Sequence, residues 1–247
     1  MGFIPILKRE LFALLVTPLA WVMITGFVLV QGWHFALLMD HAANAQLGDV
    51  SPVSAFFGTT DVLYLVLFLF LPALTMRTFA EERRLGTMEL LVTAPVSTWA
   101  MVLAKFLATF VIYVLMWAPT VLYLRILKRA GAELDPKMLA ACYLGILLVG
   151  AAYLAIGILA STLTRSVFIA LVLTAVFVLA LFLAGSVEFV AREGSLSFEA
   201  AQYVSVWTHM NEFSVGVIDS RRIVFYVTLS SLSLFLSTRV VDTWRRG

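Results

Sequence analysis

Six long apolar runs, separated by short polar stretches, set the pattern of this chain. Read as helices they lie at about 19–39, 61–80, 99–124, 138–163, 167–185 and 223–241. Each approaches or exceeds the roughly 20 residues that a bilayer core requires. The pattern therefore predicts an all-α polytopic membrane protein with six spans. Ahead of the first run, residues 3–15 set Lys8, Arg9 and Glu10 between apolar flanks, which suits a short amphipathic helix at the interface. Thr17-Pro18 then marks a break and a fresh helix start. Pro72 is expected to kink the second run. Residues 40–58 read as a polar loop, 125–137 as a basic loop, and 186–222 as a long connection holding one or two short interfacial helices.

Composition agrees with the pattern. Of 247 residues 62% are hydrophobic and 13% charged, and mean hydropathy is +1.00. A soluble globule of this size cannot hide so much apolar surface. The spans consume nearly the whole chain, so no soluble domain large enough for catalysis remains. The single cysteine, Cys142, excludes an internal disulfide and reads as a small buried hydrophobe. Small residues crowd the fourth run (Gly145, Gly150, Ala151, Ala155, Gly157, Ser161), where they permit close helix packing.

Charge orients the spans. With both termini on one side, that side holds ten basic residues (Lys8, Arg9, Arg77, Arg83, Arg84, Lys105, Arg165, Arg239, Arg245, Arg246) against seven on the other. The positive-inside rule makes the termini cytoplasmic, and the expected location is the inner (plasma) membrane. Lys105 is placed to snorkel toward the headgroups.

Candidate chemistry is sparse. The histidines, His34, His41 and His209, show no paired metal-ligand spacing, and no catalytic constellation emerges. No Walker-type phosphate loop is present, so ATP hydrolysis is not expected of this chain. The spans lack the mid-membrane acids on which ion-coupled carriers rely. Gln31 and His34, one turn apart, either line a pathway or meet water or a neighbouring helix near the outer interface.

The densest charge lies in Glu81-Glu82-Arg83-Arg84-Leu85-Gly86-Thr87-Met88-Glu89-Leu90-Leu91-Val92-Thr93-Ala94-Pro95. Glu81 to Arg84 can continue the second span, and Gly86 breaks it. Thr87 is placed to cap a short helix with Glu89 in its first turn, and Pro95 stops that helix. Met88, Leu91 and Val92 can enter a partner's groove. On the residues alone a docking helix and an ordinary charged interfacial loop serve equally.

The stretch 81–97, the entry segment Lys-Arg-Glu-Leu-Phe-Ala-Leu-Leu-Val-Thr-Pro at 8–18 and the end from Phe213 through Gly216-Val217-Ile218-Asp219 to Thr238-Arg239 together resemble an ABC-2-type permease. Among these the chain is most similar to permeases associated with gliding motility and nitrous-oxide-reductase maturation. The resemblance implies a membrane-lying N-terminal helix, a cytoplasmic coupling helix between spans 2 and 3, and short re-entrant helices before span 6. The coupling role falls on Glu81, Glu82, Arg83, Arg84, Gly86, Thr87, Met88, Glu89, Leu90, Leu91 and Pro95. It further implies a separate ABC ATPase, present twice and carrying ATP and Mg, and a second permease protomer, identical or paralogous. This chain would hold no cofactor of its own and contact no nucleic acid. The implied function is ATP-driven export. The rivals are a non-transporting scaffold subunit and an ion-coupled carrier.

Overall fold

The computed structural model describes residues 3–44, 51–58, 61–86, 97–132, 134–192 and 194–246. It is 86% helical and contains no strand among the described residues. Six segments are long and apolar enough to cross a membrane: Pro18–Ala43, Pro52–Leu85, Thr98–Arg129, Pro136–Leu163, Val167–Phe189 and Ser220–Trp244. This is a multi-pass, all-α membrane protein.

Helix α1 (Phe3–Val16) precedes the first span, α2 (Pro18–Ala43). Their elbow is Thr17, whose extended backbone and following proline end one helix and start the next. The last carbonyls of α1 would be orphaned there. Thr17 Oγ1 donates to the Ala13 carbonyl at 2.6 Å and Trp21 Nε1 to the Leu15 carbonyl at 2.8 Å.

The segment read as a polar loop at 40–58 is partly helical. Helix α2 runs on to Ala43, and a further helix, α3 (Pro52–Phe57), follows residues outside the description. Ser51 caps α3 by accepting from the Ser54 amide at 3.1 Å, and Pro52 fits its first turn. Phe56 and Phe57 are buried, which explains why an element with a polar approach turns inward.

The second span is α4 (Asp61–Thr75), with Pro72 accommodated inside it. After a four-residue turn at 76–79 the chain resumes as α5 (Ala80–Leu85), which ends at Gly86 with φ 71. That left-handed conformation is the usual glycine terminator of a helix. The third span divides at Pro119 into α6 (Thr98–Trp117) and α7 (Thr120–Arg129). The basic residues Arg125, Lys128 and Arg129 therefore lie on a helix rather than in a loop.

Helix α8 (Pro136–Leu163) is the packing axis, in contact with α4, α5, α6, α9 (Val167–Ser186), α11 (Val206–Ser214) and α12 (Ser220–Arg246). Its glycines receive neighbouring side chains: Phe213 lies over Gly145, Tyr113 over Gly150 and Thr75 over Gly157. Lying across Gly150 lets the Tyr113 hydroxyl reach the Ile146 carbonyl at 2.9 Å. The long connection contains a 3-10 turn (Val187–Phe189), α10 (Leu196–Val204) and α11. Glu188 accepts from Ser205 and Thr208 at 2.7 Å each, and Arg222 grips Glu212 with two bonds of 2.9 and 3.0 Å. Charge-assisted pairs of this kind hold polar connections in fixed geometry.

Candidate functional site

Three helices converge where the second span ends. Lys105 on α6, Glu82 on α5 and Glu10 on α1 form a single cluster. Lys105 Nζ donates to Glu82 Oε1 at 2.8 Å and to Glu10 Oε2 at 3.0 Å. The lysine side chain is only 3% exposed, against 14% for Glu10 and 21% for Glu82. Lys105 therefore does not snorkel; its charge is satisfied inside the protein. The Phe79 ring, 5.1 Å from the ammonium, covers it further.

Arg9 bonds the other Glu10 oxygen. Burial alone would raise the Glu10 pKa, but the Lys105 charge and the bonds from Arg9 and Lys105 outweigh it and hold the carboxyl below its ordinary value. The hydrogen bond to Glu10 in turn raises Arg9, partly offset by desolvation. Lys8 stays exposed on the opposite side of α1.

The same short helix is tied on its other flank. Ser161, near the end of α8, accepts from the Phe79 and Ala80 amides, both at 3.0 Å. A side chain from another span thus does for α5 what an N-cap residue does within a chain. Arg83 Nη1 donates to the Thr162 carbonyl at 3.0 Å, and its guanidinium lies 4.2 Å from the Trp244 ring centre on α12. Among the described residues Glu81 makes only loose ion pairs, 4.0 Å to Arg77 and 3.9 Å to Arg84. Exposed pairs of that length contribute little.

Residues 80–85 are therefore a node between two groups of helices. Glu82 holds α6 and, through Lys105, α1, while Ser161, Arg83 and Trp244 hold α8 and α12. Beside the node a cavity of about 260 Å³ opens between the α1–α2 elbow, α4 and α6. Ala20, Met23, Leu74 and Ala108 contribute to its apolar wall, and Glu10, Glu81, Glu82 and Lys105 to its charged part.

Of the expected coupling residues, the structure places Glu81, Glu82, Arg83, Arg84 and Gly86 at this node. Thr87, Met88, Glu89, Leu90, Leu91 and Pro95 lie outside the described residues. Gln31 and His34 belong elsewhere, roughly 20 Å along α2 from Ala20 at 1.5 Å per residue. Both are buried, and His34 stacks on Phe56 at 5.1 Å. The Ser161 cap and the Arg83–Trp244 contact escaped the sequence reading. Ser161 was hidden among small packing residues, but Lys105, alone in Val-Leu-Ala-Lys-Phe-Leu, carried a signal: a cation inside an apolar helix needs a partner.

A family model described as ABC-2 family transporter protein matches residues 42–238, most of the chain. The chain belongs to the ABC-2 transporter family. No curated protein matches it. ABC-2 permeases are the membrane subunits of ABC transporters, not the ATPases themselves, and membership implies an ABC ATPase partner. The matched region includes Glu82 and Lys105 and begins after α1, so Glu10 joins the cluster from outside it.

Proposed function

We propose that this chain is the permease subunit of an ATP-driven exporter, and that residues 81–95 receive the movement of a separate nucleotide-binding subunit. The observation that carries this reading is the buried Glu82–Lys105–Glu10 cluster. A force applied to the chain after Gly86 meets α5 first, and α5 is tied directly to α6, α8 and α12 and, through Lys105, to α1. A displacement there cannot stay local, because interfaces packed this closely shift between discrete arrangements rather than deforming smoothly.

In this reading the termini and the 81–95 segment are cytoplasmic, in the inner membrane. Two ATPase copies bind ATP and Mg and close on one another. A second permease protomer, identical or paralogous, completes the path. The short connections between the spans support an exporter without a large external domain.

The test is cross-linking in a Cys142→Ala background. Single cysteines at Met88 and Leu91 are expected to cross-link to the co-expressed ATPase, while one at Asp49 labels only from the opposite side. ATP hydrolysis by the reconstituted complex should drive substrate movement. An ATPase that neither co-purifies nor cross-links overturns the reading. Stable assembly with no ATP-dependent flux would assign the chain a scaffold role instead.

A further inference from the structure

Far from the cluster, the outer half of α2 carries two polar side chains that the fold leaves unpaired. Gln31 and His34 lie on one face of α2, one turn apart, and are 1% and 3% exposed. Neither Gln31 Oε1 nor either ring nitrogen of His34 has a hydrogen-bond partner among the described residues. Elsewhere in the spans buried hydroxyls bond carbonyls one turn back, as at Thr75, Thr109, Thr174 and Ser237. A buried polar group without a partner carries the full cost of losing water. Two on adjacent turns, in a protein that pairs its buried hydroxyls, call for an explanation.

The ring over His34 is Phe56 of α3. It stacks on the imidazole at 5.1 Å with 12° between the planes, and meets Phe35 at 6.2 Å and Tyr123 at 6.1 Å edge-on. Each side of this contact is fastened to a different neighbour. Helix α3 is held by α11: Ser54 donates to the Ser214 carbonyl at 3.0 Å, and Gly58 leaves room for the Ser214 side chain against its backbone. Helix α2 is held by α7: Tyr123 donates to the Val28 carbonyl at 3.2 Å and stacks on Phe35 at 4.9 Å. At Phe56 the two pairs of helices meet ring against ring. Such contacts are apolar and non-directional, so they part without breaking a hydrogen bond.

We infer that Gln31 and His34 line the outer part of the transport path, and that Phe56 is the plug that closes it in this structure. When α3 and α11 draw away from α2 and α7, Phe56 withdraws and both polar side chains reach water. The cost of burying them unpaired is then the free energy that favours opening, a loss of stability kept for the sake of function. An amide and an imidazole together offer hydrogen-bond donors and acceptors. That chemistry suits water and the uncharged hydrogen-bonding groups of a cargo, hydroxyls or amides. The path role rests on the permease reading, and the outer position on its cytoplasmic termini.

Thiol labelling in proteoliposomes tests this, in the Cys142→Ala background, with the membrane-impermeant reagent 2-sulfonatoethyl methanethiosulfonate added to one side at a time. Gln31→Cys and His34→Cys should label from the side on which Asp49→Cys labels, and faster than Ala152→Cys, which is fully buried in α8. Adding Phe56→Ala should raise the rate at His34→Cys roughly tenfold, since it removes the plug. Gln31→Met and His34→Phe should each raise Tm in detergent by roughly 2–4 °C, because each removes an unpaired group and fills its space. With the ATPase bound, modification of His34→Cys should lower ATP turnover. Rates at 31 and 34 as slow as at Ala152→Cys overturn the site, and that comparison needs no change at Phe56. A Phe56→Ala variant that labels no faster overturns the plug. A lower Tm in the apolar variants, the result of a permanently trapped water pairing both groups, overturns the stored cost. Undiminished turnover overturns the path role. If Asp49→Cys and Met88→Cys label from the same side, the orientation of the permease reading fails instead, while the comparison with Ala152→Cys still decides the plug.

Discussion

Replacing Lys105 by methionine keeps the length and apolar stem of the side chain and removes one buried charge. Glu82 and Glu10 oxygens now stand within 3.0 Å of where the ammonium was, with nothing between them. At a separation of roughly 5 Å and an effective dielectric of about 20, two carboxylates repel by about 3 kcal/mol. Breaking a buried pair costs about 3–5 kcal/mol for the same reason. At about 2–4 °C per kcal/mol for a chain of this size, Tm in detergent should fall by on the order of 10 °C. The sign of the pH dependence is the sharper readout. In the wild type the Glu10 pKa lies below its ordinary 4.5, so its contribution is present at neutral pH and is lost as pH falls through the folded value. In Lys105→Met the two carboxylates repel in the folded state and protonation relieves that repulsion, so stability is greatest in acid and falls as pH rises. Thermal unfolding from pH 5 to pH 8 should therefore be nearly flat for the wild type and descend for the variant. The triple variant Glu10→Gln, Glu82→Gln, Lys105→Met should recover much of the loss. Identical pH slopes, or a triple variant worse than Lys105→Met alone, would refute the buried cluster.

Ser161→Ala removes the acceptor for the Phe79 and Ala80 amides and should cost about 1–2 kcal/mol, read as a drop in Tm. It should also raise amide exchange at 79–82, where a merely cosmetic serine would have no effect. Gly150→Leu drives a side chain into the Tyr113 ring and should cost at least about 1–3 kcal/mol, with poor expression as the outcome. Gly150→Ser, being smaller, should be milder. Arg83→Lys keeps the charge but loses the stacking on Trp244 and the planar donor set. Its expected signature is quenching of a different magnitude at Trp244, with ATPase binding retained and coupled turnover reduced.

Much of the architecture was legible because it follows from local rules. Six apolar runs became six membrane-competent segments, Thr17-Pro18 became an elbow, and Gly86 stopped a helix. Where neighbours decide, the pattern was silent. Residues 52–57 follow a polar approach, yet a serine cap and two buried phenylalanines make them a helix. Pro119 splits the third span, and the charges after it continue on a helix whose solvent side carries them. At the site, the sequence supplied Glu82 and Lys105 as neighbours in charge but not as partners, because 23 positions separate them. Glu10 lies 95 positions from Lys105, beyond any periodic signal. Ser161 looked like a packing residue because its hydroxyl bonds a different span.

The central claim is that movement delivered after Gly86 passes through Glu82 to the helices around it. Cysteine accessibility tests it most directly. In a Cys142→Ala background, Ala20→Cys places a thiol on the wall of the 260 Å³ cavity beside the cluster. With the ATPase bound, ATP should change its labelling rate when the cluster is intact. In Glu82→Gln, with the ATPase still bound and hydrolysing, that response should be lost. A labelling rate indifferent to ATP in the intact protein, or an ATP response preserved without Glu82, would contradict the account.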